Sequence, residues 1–194
     1  MTARRLLPLI VILLGFLAAA GATIWVLKPS SKIITSSVGG PFALMDENNR
    51  PVTEAVFAKK VALVFFGYTH CPDVCPTTLY DLSQVLAKIP ADAPLTAAFI
   101  TVDPERDTPA TLKDYLSSFD PRIHGFSGSR AATEAVERAY RVYAKRVEGS
   151  QPDQYTYDHT ALVYVMDKDG NFTSALNLNG PPEQAAKELQ TLLF

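Results

Sequence analysis

The sequence predicts an α/β fold, a mixed central sheet flanked by helices, preceded by one transmembrane helix. Three observations predict it. Short β-rich apolar runs alternate with segments whose apolar residues recur at helical spacing. Two of those runs, 61–66 and 95–102, are apolar enough for strands covered on both faces. Residues 6–27 form a run of 22 without a single charge. A chain of 194 residues with near-average composition holds one ordinary domain plus an appendage, without disulfide staples.

Residues 1–5 read as a cytoplasmic N-terminus, because Arg4 and Arg5 precede the apolar run and positive charge stays inside. As a helix rising ~1.5 Å per residue, residues 6–27 reach roughly 33 Å, enough to cross a bilayer. Trp25 and Lys28 mark its far interface. A cleaved signal peptide ending near Ala18, Ala19 and Ala20 is the alternative, and either way the remainder is exported. Residues 28–41, with their Ser, Thr, Gly and Pro, read as a linker. The domain then occupies 42–194. Four of the 18 basic residues (Arg4, Arg5, Lys28, Lys32) precede residue 33, where no acid occurs, so 14 basic residues face 20 acidic ones beyond it, a formal balance of −6. That balance, with no basic patch, excludes nucleic acid as a partner.

Along the domain, 42–57 reads as a hairpin turning at Asp46-Glu47-Asn48-Asn49. After strand 61–66 comes a loop, 67–76, and a helix over 77–89. Strand 95–102 ends at Asp103-Pro104. Thr108-Pro109 starts a helix running to about Phe119, since a hydroxyl N-cap followed by proline at the first helical position is a strong start signal. A further helix follows Ser129, over 131–144. Strands 160–166 and 172–176 form a hairpin about Asp167-Lys168-Asp169-Gly170, and Pro181-Pro182 opens a last helix to Leu193. This order fits a thioredoxin-like domain with insertions.

The chemistry sits in the loop after the first buried strand. Cys71 and Cys75 are the protein's two cysteines, separated by three residues. A disulfide across so short a loop would constrain little of the unfolded chain, so the spacing favours chemistry over scaffolding. Pro72 and Pro76 favour a curled loop with Pro76 in the first turn of the helix, which puts both sulfurs near a helix N-terminus that favours thiolate. Three readings stay open. Thioredoxin-type exchange normally uses one residue fewer between the cysteines. Zinc normally wants four protein ligands. Two thiolates with an imidazole suit copper, as Cu(I) or Cu(II). Of the three histidines, His159 leads into an apolar strand that can lie beside the cysteine loop, although by itself its phrase reads as a turn. His70 adjoins Cys71 too closely to share an ion with it comfortably, and His124 lies in a Gly/Ser-rich connection. Met166 reads as core, and Met45 has no assigned role.

Three separated phrases carry a resemblance. Gly67-Tyr68-Thr69-His70-Cys71-Pro72-Asp73-Val74-Cys75-Pro76, Val102-Asp103-Pro104-Glu105-Arg106-Asp107-Thr108-Pro109 and Tyr157-Asp158-His159-Thr160-Ala161 resemble, in order, the motifs of the SCO/SenC family. The resemblance covers about 38–194. It implies a thioredoxin-like fold binding one copper through Cys71, Cys75 and His159. It further implies a metallochaperone, not an enzyme, that assists assembly of the binuclear copper centre in cytochrome c oxidase subunit II. Oxidation of Cys71 and Cys75 to a disulfide would then gate copper binding. Asp103, Arg106 and Asp107 of the second phrase are expected to support loops, and Asp158 to orient the His159 ring. Other copper chaperones and thiol reductases are further expected partners. The alternative is a thiol–disulfide oxidoreductase that reduces the acceptor's cysteines before metallation; a sensor acting through a membrane partner has no feature of its own. With no Arg/Ser-rich transit segment before the apolar run, the expected location is a bacterial inner membrane, single-pass, with the C-terminal domain in the periplasm.

Overall fold

In a computed structural model, the described residues are 38–150 and 154–193. The expected anchor, 6–27, and most of the linker lie outside them. Among the described residues, no helix is long and apolar enough to cross a membrane.

The first buried run forms β3 (Val61–Gly67), with every residue buried, and the second forms β4 (Leu95–Thr101), equally buried. They pair in parallel, from Val61↔Leu95 to Gly67↔Thr101, so their carboxyl ends lie side by side. Such strands need cover on both faces, and helices supply it. α1 (Val74–Leu86) buries Leu79, Leu82, Val85 and Leu86 and packs against α4 (Pro182–Leu193). α2 (Pro109–Leu116) lies on β5 (Ile123–Ser127).

The sheet has seven strands in the order β2-β1-β5-β4-β3-β8-β9, where β1 is Ala43–Asp46, β2 Pro51–Thr53, β8 Val163–Met166 and β9 Phe172–Ala175. β4 and β5 continue the parallel core, whereas β8 runs antiparallel to β3 with Phe65 opposite Val163. This pairing brings the chain entering β8 to the carboxyl end of β3. A separate two-stranded sheet joins β6 (Ala144–Glu148) to β7 (Tyr155–His159). The architecture is the expected mixed α/β, thioredoxin-like fold.

Several expectations need correction. The hairpin at 42–57 is present, but its second strand is short and Glu54–Phe57 is a 3-10 turn capped by the Thr53 hydroxyl. α1 begins at Val74 and ends at Leu86, each about a turn earlier than expected, so Cys75 is helical. α2 is capped by Thr108, whose hydroxyl accepts the Thr111 N–H, but it stops at Leu116. The expected Gly/Ser-rich connection around His124 is instead β5; a Cβ on Gly125 would lie 2.8 Å from Leu116 and 3.0 Å from Leu112, so the glycine lets α2 sit on the strand. α3 (Arg130–Ala139) ends before the expected Ala144, because Arg141 adopts a left-handed φ of 57° and Val142 N–H donates back to Glu137 O. The residues beyond become β6. Met166 is core, as expected.

On α3, Glu137 is buried, and burial pushes its carboxyl up from 4.5 to about 7. A raised carboxyl pKa means the folded state holds a proton that the unfolded state has already lost, so stability falls as pH rises from 4.5 to 7. Glu137→Gln is therefore expected to melt several degrees higher than the parent at pH 8. The difference should fade below about pH 4.5, checked by thermal melts across pH.

Candidate metal centre

The cysteine loop leaves β3 at its carboxyl end, where open α/β sheets present their ligand crevices. Gly67 closes the strand, and a Cβ there would lie 2.7 Å from the Phe99 ring and 2.8 Å from Cys75 Sγ. The missing side chain is the space the Cys75 sulfur occupies. Cys75 is fully buried, Cys71 half-buried, and both are free thiols. The Cys75 N–H, in the first turn of α1, donates to Cys71 Sγ at 3.4 Å, so a helix N-terminus does serve one sulfur. At Cys75, without metal, burial opposes the helix. Burial pushes the Cys75 thiol far up, and Cys71 and Asp107 nearby add to the shift.

His159 reaches the sulfurs as the last residue of β7, rather than as the lead-in to β8. Its Nε2 lies 3.6 Å from Cys75 Sγ and its Nδ1 3.1 Å from Thr160 O. A carbonyl can only accept, so Nδ1 carries a proton, and in the neutral ring Nε2 is the nitrogen whose lone pair faces the sulfur. The Thr160 carbonyl thus makes the contact expected of Asp158, which is exposed on the same strand opposite Lys145. Tyr68 packs edge-on against the His159 ring at 5.8 Å. Together the two sulfurs and the imidazole nitrogen lie within 4.8 Å of one another, a donor set that can hold one thiophilic metal ion with modest contraction.

The second motif fastens both halves of this cluster. Asp107, fully buried, accepts from Thr69 N–H at 3.0 Å, Thr69 Oγ1 at 2.6 Å and Thr101 Oγ1 at 2.6 Å. Burial pushes its carboxyl up, and those hydrogen bonds pull it back. Asp103, also fully buried, accepts from Arg106 Nε and, at 3.0 Å, from the Tyr155 hydroxyl of β7. Arg106 and Arg146 each lie 3.6 Å from the Tyr155 ring centroid, which requires opposite faces, so the ring is clasped between two guanidinium groups. Arg130 bonds the Tyr157 hydroxyl and, at 2.9 Å, Val102 O.

His70 is exposed, bonded to Thr69 Oγ1 at 3.1 Å, and His124 lies on β5 against Glu47 at 3.3 Å. Neither joins the cluster. Sequence reasoning gave no role to Gly67, Thr69, Tyr155, Thr160 or Arg130. Only Gly67, a glycine closing an apolar strand, carried a readable signal of close approach.

Fold and site define a thioredoxin-like protein with a dithiol–imidazole cluster at the carboxyl end of its first parallel strand. The SCO1/SenC family model matches residues 31–193, and the chain belongs to that family. The chain is similar to ScoI of Bradyrhizobium japonicum, solved with copper bound, at 55% identity and a TM-score of 0.77, covering 80% of this chain and 99% of that one. Yeast Sco1, also solved with copper bound, matches at 36% identity and a TM-score of 0.73 over 79% of this chain and 87% of that one. The mitochondrial SCO2 homolog of Mus musculus is 38% identical over 154 residues, 78% of this chain. The chain spans 60% of that relative's length and about half that of several others.

Two substitutions test the scaffold. Asp107→Ala strands three donors and is expected to cost roughly 3 kcal/mol or more in denaturant unfolding. Gly67→Ala, which forces the Cys75 sulfur or the Phe99 ring aside, should cost about 1–3 kcal/mol in the same measurement.

Proposed function

We propose that this protein is a copper metallochaperone that holds one copper ion on Cys71, Cys75 and His159 and assists assembly of the binuclear copper centre in cytochrome c oxidase subunit II. The observation that carries the reading is the convergence of two sulfurs and one imidazole nitrogen within 4.8 Å. The donors suit the cargo: thiolates favour Cu(I), and imidazole helps to retain Cu(II). Copper-bound relatives and the three matched motifs support it. Release follows from unequal exposure. Cys71 lines the open cavity, whereas Cys75 is fully buried, so an incoming thiol or imidazole meets the copper on the Cys71 side and displaces that sulfur first. The apolar run 6–27 and bacterial relatives support a domain held at the outer face of a bacterial inner membrane, in the periplasm.

A second reading is favoured by the pairing of an accessible Cys71 sulfur with a buried Cys75 sulfur one helical turn away, an attacking and a resolving thiol. In it, Cys71 attacks an acceptor disulfide and forms a mixed disulfide. Cys75 then loses its proton and displaces the acceptor, leaving a Cys71–Cys75 disulfide and a reduced acceptor dithiol.

The test is copper binding by the exported domain under reducing and oxidising conditions, alongside Cys71→Ala, Cys75→Ala and His159→Ala. One equivalent is expected when reduced, weakened at least about tenfold by each substitution (about 1.4 kcal/mol) and lost on oxidation. Tight binding unchanged by His159→Ala overturns the assigned site. Disulfide reduction that survives His159→Ala, with oxidase assembly intact, favours the second reading.

A further inference from the structure

The cavity that opens on Cys71 and His159, about 300 Å³, continues into a neighbour of about 320 Å³, with Asp73, Val74 and Ala161 lining both. The second cavity runs between the first two turns of α1, at Thr77, Thr78 and Asp81, and residues 161–163 and 176–179. Two features of this trough call for a partner. Val74 and Leu162 line it at 46% and 48% exposure, apolar side chains in water directly beside the cluster. The charges lining it are all carboxylates, Asp73, Asp81 and Asp158, with no lysine or arginine among its lining residues. Asp73 stands at the N-cap position of α1, yet its side chain makes no capping hydrogen bond, so that carboxylate is not consumed by the helix. Asp158 has Lys145 opposite it on β6, which leaves Asp73 and Asp81 to set the character of the groove.

We propose that this trough is the docking surface for the copper acceptor, and that its occupant is an extended acceptor segment carrying lysine or arginine beside an apolar side chain. The inference rests on the copper-carrier reading and adds the chemistry of the partner. Continuity with the cluster supplies the first argument. Cys75 is fully buried and Tyr68 packs on the His159 ring, so an acceptor's thiol enters by the Cys71 cavity, and the trough is continuous with that entry and offers its chain a path. Charge supplies the second. Carboxylates beside an apolar strip attract a basic-apolar segment and repel an acidic one, and the attraction speeds encounter in a salt-sensitive way.

Two short synthetic peptides test it, each with two cysteines and a histidine, one flanked by lysines and the other by glutamates. At low salt, Cu(I) is expected to leave the loaded protein about tenfold faster for the lysine peptide. Asp81→Lys should abolish that preference and Leu162→Glu should slow transfer to the lysine peptide. Asp114→Lys, an exposed change on α2 outside the trough, should preserve the preference. Equal rates to both peptides, or equal effects of Asp81→Lys and Asp114→Lys, overturn the proposal. A second arm needs no copper: the lysine peptide with serine in place of cysteine is titrated into the metal-free protein. Amide shifts should concentrate at 73–81, 161–163 and 176–179, and their absence there overturns the docking surface. If copper fails to load while those shifts appear, the carrier reading falls and the docking surface stands.

Discussion

Two fully buried carboxylates hold this site together. Asp103 and Asp107 follow β4, not the strand that leads into the cysteine loop, yet each reaches across to a different segment of the cluster. Asp107 ties down Thr69, two residues before Cys71, and Asp103 ties down Tyr155, four residues before His159. Burying a carboxylate is costly unless its lone pairs are met by donors. Here three donors meet Asp107 and two groups meet Asp103, so the same bonds that make the burial tolerable fix the loop and β7 relative to one sheet. The support these residues were expected to give is specific: one for the thiols, one for the imidazole.

The sheet topology explains how His159 comes within 3.6 Å of Cys75 across 84 residues of sequence. Parallel β3 and β4 place the cysteine loop and the second motif side by side at their carboxyl ends. Antiparallel β8 must therefore begin at that same end, and the chain just before it arrives there with β7. The Tyr155 ring, clasped between Arg106 and Arg146, supports a two-stranded sheet whose residues are mostly exposed or half-buried.

The two sulfurs are placed for different work. Cys71 takes a helix amide and faces the cavity. Cys75 fills the space left by Gly67 and pays for its burial with a thiol that resists ionisation. On the copper-carrier reading, one accessible and one buried sulfur would let cargo pass on in steps, the buried donors holding the ion while the accessible one is exchanged.

The sequence by itself determined the elements whose signals are local. These were the two buried strands, the Thr108 cap, the β8–β9 hairpin and the last helix, where apolar runs, a capping hydroxyl or turn residues act over a few positions. It also singled out the two cysteines, and the three phrases singled out His159, which the structure brings within 4.8 Å of both sulfurs. It did not show β5, where Gly125 makes room for a helix contributed from elsewhere, nor β6, which begins only because Arg141 turns left-handed. Nor did it show that Thr160, rather than Asp158, contacts the imidazole, or that Cys75 is fully buried in the space Gly67 leaves. These depend on contacts between residues far apart in the chain and on the exclusion of water from the space between them, which only the tertiary structure decided.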